Sequence, residues 1–126
     1  MPGFIDVEKA LSELLADLAP GKIGTAVPDE IPNPYICIQR VPGGGSNPQG
    51  WQDVALVEVQ TWAITRPEST TLNNAIRDRL AGRRGVETSY GLIDRIVEAG
   101  PPTQLPWADE LQRWVPSTWQ ITSRKQ

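Results

Sequence analysis

The amino-acid sequence predicts an α+β domain with a small mixed or antiparallel sheet and two amphipathic helices packed on one face. Three observations predict this class. Two stretches carry apolar residues at helical spacing, one long stretch alternates apolar with polar residues, and prolines and glycines separate these stretches. The 126 residues are the size of one domain, which we expect to span 1–126. A chain of this length buries a sizeable core without disulfides.

The two helices are predicted from their apolar stripes and from the residues at their ends. The expected limits are Asp6 and Pro20-Gly21 for the first helix, and Pro67 or Ser69, then Gly82 and Gly85, for the second. The expected stripes are Val7, Leu11, Leu14, Leu15 and Leu18, and then Leu72, Ala75, Ile76 and Leu80. Two such stripes bury themselves by packing against a sheet.

Strands are predicted where β-branched and aromatic residues concentrate or alternate with polar ones. The expected strands are "KIGTAV", "YICIQRV", "DVALVEVQTWAIT", "GLIDRIVEAG" and "RWVPSTWQITSR". The proline-rich "PDEIPNP" is expected to be an extended connector. The strands at Tyr35–Val41 and Asp53–Ile64 are neighbours in sequence, so we expect them to pair antiparallel.

One face of the predicted sheet is expected to contact a second copy of the protein. Leu56, Trp62 and Ile64 share a strand face with Glu58 and Gln60. Two helices cannot cover both faces of a sheet this size. Apolar side chains on the uncovered face therefore indicate a subunit interface formed by these five residues.

The glycine-rich segment "VPGGGSNPQGW" does not have the pattern of a phosphate-binding loop, because it contains no lysine and leads into a strand. Two interpretations stay open: a flexible hairpin tip, or a mobile arm that orders against a partner. We expect Pro42 and Pro48 to keep the tip from extending the sheet. The candidate partner-binding residues are Gly43, Gly44, Gly45, Ser46, Asn47 and Gln49.

Composition argues against chemistry at a defined site. The chain has no histidine and one cysteine, Cys37, which we expect to be a buried thiol. We therefore expect no catalytic activity, no metal and no cofactor. The adjacent acids Asp29-Glu30 and Asp109-Glu110 are typical of solvated turns. A net charge of −3 without a basic stripe disfavours specific nucleic-acid binding. No apolar run is long enough to predict a membrane span, and the first residues do not resemble a signal peptide.

Tryptophans and arginines supply the remaining candidates. Trp107 and Trp114 flank "ADELQR", where both interface contact and local packing are reasonable. Arg83 and Arg84 follow the second helix. Cations there complement the helix dipole, and the alternative is contact with an acidic partner surface.

Three stretches of the chain together match the pattern of a known family: "VPDEIPNPYICIQRVPGGG", "ALVEVQTWAITRPESTTLNNAIRDRL" and "GLIDRIVEAGPPTQLPWADELQRWVPSTWQITSR". In these stretches the chain resembles the tail terminator, or tail completion, proteins of long-tailed bacteriophages of the lambda type. The resemblance covers nearly the whole chain and includes no catalytic motif. Small head–tail connector proteins look similar.

The resemblance implies a structural virion protein. Members of that family form a hexameric ring that caps the tail tube, ends tube polymerisation and offers its other face to the head–tail connector. DNA passes through such a ring without specific binding. The resemblance also implies assembly in the host cytoplasm and a final location in the tail or neck of the virion. The alternatives are a neck or head-completion connector and a monomeric adaptor module.

Overall fold

The computed structural model describes residues 4–46, 50–102 and 113–124. Its elements are α1 Val7–Leu15, a 3-10 turn Ala16–Leu18, β1 Ile23–Gly24, β2 Tyr35–Ser46, β3 Gln52–Ala63, α2 Arg66–Leu80, β4 Arg84–Thr88, β5 Gly91–Gly100 and β6 Arg113–Arg124. The strands form one six-stranded sheet in the order β1-β2-β3-β6-β5-β4. Only the β1–β2 pair is parallel. An α+β fold with a mixed sheet is therefore confirmed.

Side-chain caps set where the two helices begin. The Asp6 carboxylate accepts a hydrogen bond of 3.2 Å from the Lys9 N–H, as the sequence predicted. Thr65 caps α2 by accepting from the Glu68 N–H at 3.3 Å. The second helix thus begins at Arg66, slightly before the expected Pro67 or Ser69, because the threonine hydroxyl satisfies an N–H of its first turn. Neither described helix is long and apolar enough to cross a membrane.

A single buried cluster joins both helices to the sheet. Its fully buried members include Leu11, Leu15, Ile76, Leu80, Ile38, Val57, Val59, Ile93, Ile96, Trp119 and Ile121. Trp119 is the largest of them, and its indole N–H donates to the Ser117 hydroxyl at 3.0 Å. That hydroxyl donates in turn to the Val59 carbonyl at 3.3 Å. The indole is therefore buried with its polar atom satisfied.

Strand β4 was not predicted from the sequence. This strand pairs with β5 through a tight hairpin, in which the Thr88 hydroxyl donates to the Gly91 carbonyl at 2.8 Å. Gly85, expected to help end the second helix, lies inside β4 with φ +59. A five-residue strand with a single buried residue, Val86, has no alternation strong enough to identify it in the sequence.

A β-bulge changes which residues of β5 face the core. Strict alternation along β5 would place Ile93 and Ile96 on opposite faces, yet both are fully buried in the core. The register between β5 and β6 shifts between Ile93 and Arg95, so Asp94 is an extra residue in β5. An extra residue reverses the alternation beyond it, which brings both isoleucines to the same side.

Candidate functional site

The face of β3 predicted as a subunit interface points away from the core. Leu56, Glu58 and Trp62 are half-buried and alternate along the strand with fully buried core residues. Gln60 is more deeply buried, and its side-chain amide donates to the Glu58 carboxylate at 2.5 Å. Four of the five predicted residues therefore lie on one strand face, as alternation requires.

Ile64 does not belong to that face. β3 ends at Ala63, and Ile64 lies just beyond it with 47% of its surface exposed. Its backbone N–H donates to the Asn33 side chain at 3.1 Å rather than to a neighbouring strand. This contact joins the end of β3 to the proline-rich connector.

A row of three aromatic side chains crosses this face of the sheet. Tyr35, Trp62 and Trp114 are register partners on β2, β3 and β6. The two indoles stack with ring centroids 5.9 Å apart and an angle of 19° between planes. The Tyr35 hydroxyl donates to the Ala26 carbonyl at 2.6 Å. Trp114, predicted only as a candidate contact, thus forms part of the predicted interface face.

The Trp62 side chain carries an unsatisfied polar atom on this face. Its indole Nε1 is buried and has no hydrogen-bond partner among the described residues. A buried N–H without a partner is costly and uncommon in native proteins. A hydrogen-bond acceptor from outside the described residues would therefore stabilise the aromatic row by pairing with the Trp62 Nε1–H.

Much of the glycine-rich segment belongs to the sheet. β2 continues through Gly44, Gly45 and Ser46, which pair with Ala55, Val54 and Asp53 of β3. The expectation that proline would stop the sheet is wrong for Pro42. The register shift between Val41 and Gly44 leaves Pro42 and Gly43 unpaired, so the missing proline N–H costs no ladder hydrogen bond.

The glycines at this bulge have a structural reason. Gly44 has φ +69, and a Cβ there would overlap the backbone carbonyl oxygen of Val54. Gly43 has φ +129, and a Cβ there would overlap the Leu56 side chain. The close approach of the β2 and β3 backbones therefore requires glycine at position 44, whereas at position 43 the positive φ is what favours glycine, since the end of the Leu56 side chain can move.

An ion pair fixes the base of this hairpin. The two terminal guanidinium nitrogens of Arg40, Nη1 and Nη2, donate to the carboxylate of Asp53 at 3.0 and 2.9 Å, and Asp53 is buried. The Arg40 backbone N–H also donates to Glu8 of α1 at 3.0 Å. Trp51, at the start of the returning chain, is 48% exposed. Asn47, Gln49 and Trp107 lie outside the described residues.

The arginines after α2 have different environments. Arg83 is exposed and donates to the Arg79 carbonyl at 3.2 Å, as expected of a cation near a helix C-terminus. Arg79 binds the Asp17 carboxylate with two hydrogen bonds, which lower the pKa of Asp17. Arg84, by contrast, lies in β4 directly opposite Arg95 of β5. This pairing could not be anticipated without β4.

The described residues show no side-chain cluster suited to metal binding. They include no group of three or more acidic or cysteine side chains placed to hold a metal ion. Cys37 is fully buried, and burial raises the pKa of its thiol. A groove of about 440 Å³ is lined mainly by apolar side chains, with Glu68 as its one charged residue.

The sequence profile of a family described as phage tail termination protein matches residues 3–126. The chain belongs to this phage tail termination family. It is therefore a structural protein of the phage tail and a component of the virion. The resemblance in the sequence analysis is confirmed.

One solved structure resembles the tail termination protein over nearly its full length. It is described as "Virion of native gene transfer agent (GTA) particle", is 14% identical, and gives a TM-score of 0.73 with 95% of each chain covered. At this identity the likeness establishes a shared fold. No curated protein matches the sequence.

Proposed function

We propose that the tail termination protein forms a closed ring of six subunits that caps the tail tube and ends tube polymerisation. In this proposal the opposite side of the ring receives the head–tail connector. Family membership supports the tail role, and the resemblance to lambda-type terminators supports the number six. The observation that carries the proposal is the aromatic row on the sheet face pointing away from the core.

The placement of the two helices supports an interface on the outward face of the sheet. Both contribute to the one buried cluster, so we propose that both cover the same sheet face. The other face then carries half-buried Leu56, Trp62 and Trp114, and neither described helix is left to shield them. Covering apolar surface is worth about 25 cal/mol per Å², and tryptophan is among the residues that contribute most to protein interfaces.

A second subunit would also provide a hydrogen-bond acceptor for the Trp62 indole N–H. An acceptor supplied by a neighbour would pair the buried Trp62 Nε1, which finds no partner among the described residues. Such a contact is worth more than burial alone, because leaving the N–H unpaired costs about 1–3 kcal/mol. The hairpin whose base Arg40 and Asp53 fix would present Trp51 to the tube or to the next subunit.

The test compares Leu56→Glu with Ala16→Glu. Both place a carboxylate on a formerly apolar side chain, but Ala16 is exposed in the 3-10 turn that follows α1, outside the sheet. Mass photometry of each purified variant, alone and with tail-tube protein, measures ring formation. Electron microscopy of phage carrying each variant measures tail length. We expect Leu56→Glu to abolish rings and give overlong, unjoined tails, and Ala16→Glu to behave as wild type.

The alternatives predict different results. A monomeric adaptor stays monomeric even with tube protein present. A neck connector leaves tails of normal length while heads and tails fail to join. The proposal would be overturned if the wild-type protein stays monomeric with tube protein present. It would also be overturned if phage carrying Leu56→Glu has tails of normal length that fail to join heads.

A further inference from the structure

We propose that the subunits of the ring are joined head to tail by a charge contact, in which Arg84 and Arg95 of one subunit meet Asp29 and Glu30 of the next. The inference rests on the proposed ring. The proposed contact joins two different sides of neighbouring subunits through opposite charges. It compensates the pairing of two like charges, Arg84 and Arg95, that is unfavourable within a single subunit.

Arg84 and Arg95 are direct register partners across the antiparallel pair β4–β5. Side chains at such positions have Cβ atoms about 5 Å apart, and like charges there are destabilising. Both arginines are exposed, and both line one cavity of about 370 Å³ beside the end of α2. Within an isolated subunit this pair costs stability.

The acids near this pair are already engaged. Glu98 lines the same cavity, but Arg77 of α2 holds it with hydrogen bonds of 2.7 and 3.0 Å. Asp94, the residue before Arg95, is held by Arg124 at 2.8 to 3.2 Å. No described residue forms an ion pair with Arg84 or Arg95. Arg84 of the edge strand β4 and Arg95 of β5 thus lie together without an anionic partner among the described residues.

Two acids in the connector that follows the opposite edge strand show the complementary situation. Asp29 and Glu30 are adjacent and exposed in the connector that joins β1, the other edge strand, to β2. No described residue forms an ion pair with either. Among the described residues, each subunit therefore carries two unmatched positive charges on the last two strands at one side of the sheet and two unmatched negative charges in the connector after the edge strand at the other.

A head-to-tail ring brings these two edges together. Closed rings repeat one heterologous contact, in which different patches of neighbouring subunits meet. Opposite charges at such a contact fix its orientation and register, and like charges there oppose wrong pairings. The arginine pair gains its carboxylates only in the ring, so the repulsion present in the free subunit favours assembly.

Charge reversal tests the contact with the full-length protein and its tube protein. The arginine variant is Arg84→Glu with Arg95→Glu, and the acid variant is Asp29→Arg with Glu30→Arg. Each variant has like charges at both edges, so each alone is expected to assemble at least about tenfold more weakly than wild type. All four positions are exposed, and equal thermal midpoints would verify that the variants fold.

Mixing the two variants gives the decisive result. One variant is then acidic at both edges and the other basic at both, so rings should return in the mixture with the two chains alternating, three of each. Native mass spectrometry of chains with different isotope labels reads this composition. Combining all four reversals in one chain should also restore rings of a single chain type.

Three outcomes would overturn the inference. Rings that persist in either single variant, or that fail to return in the mixture of folded variants, show that these edges do not meet. Arginine reversal that removes binding of double-stranded DNA while leaving rings intact assigns the arginines to phosphates. If wild-type protein with tube protein forms no ring, the proposed function fails first and the inference with it.

Discussion

Replacing Gly44 with alanine tests the close approach of the two hairpin strands. Gly44 has φ +69 in the bulge of β2, and an added Cβ would overlap the backbone oxygen of Val54 on β3. Gly82 is a matched control, because it also has φ +69 but nothing lies within 4 Å of an added Cβ. The two variants therefore share the cost of a positive φ and differ in the overlap.

The expected magnitudes follow from those two terms. An alanine at positive φ costs about 1–2 kcal/mol of unfolding free energy, which both variants lose. Gly44→Ala should lose about 1–3 kcal/mol more, because a backbone oxygen cannot move aside as a flexible side chain can. The smaller chain entropy of an unfolded alanine changes both variants alike and cancels in the comparison.

Urea unfolding followed by tryptophan fluorescence measures both values. The buried Trp119 gives a signal that depends on an intact core. The slopes of the unfolding curves must match for the free energies to be compared. Equal losses for Gly44→Ala and Gly82→Ala would refute the reasoning, since the strands would then be free to separate at the bulge.

Three further predictions concern charged and buried groups. Asp53→Asn should lower the unfolding free energy by about 2 kcal/mol, because Arg40 loses its anionic partner; an unchanged urea midpoint would contradict this. Hydrogen bonds from Arg79 lower the pKa of Asp17. The stabilisation that this ion pair gives the folded protein is therefore present above the ordinary aspartate pKa of 3.8 and is lost as the pH falls through the lower pKa of the folded state. Thermal melting of Asp17→Asn should therefore depend less on pH below 3.8 than wild type, and parallel curves would argue against the pair. Burial raises the pKa of the Cys37 thiol, so iodoacetamide at mildly alkaline pH should label it only in urea, whereas rapid labelling of folded protein would show an open site.

Local physical rules allowed several elements to be predicted. Asp6 supplies a side-chain acceptor before an apolar stripe, so the start of α1 follows from residues within one turn. The alternation in β3 likewise follows from the two-residue period of a strand, and the structure buries the expected residues. The same two-residue period places Leu56 and Trp62 on one face of β3, as predicted.

Other features depend on residues far apart in the chain. Sequence alternation could not reveal the bulge at Asp94, because one extra residue matters only against the partner strand β6. The pairing of Arg84 with Arg95 required β4, whose single buried residue gives no periodic pattern. Both features set the charges and faces on which the proposed ring contacts depend.

The α+β class, the outward face of β3 and the family follow from the amino-acid sequence alone, because each depends on local periodicity or on a pattern along the chain. The stacking of Trp114 on Trp62 depends on tertiary structure, since the two residues lie 52 positions apart in the chain and meet through the β3–β6 register. Tertiary structure likewise places glycines that were expected in a loop in the β2–β3 ladder. Whether a strand continues past a proline depends on the partner strand, which here leaves Pro42 unpaired at a bulge.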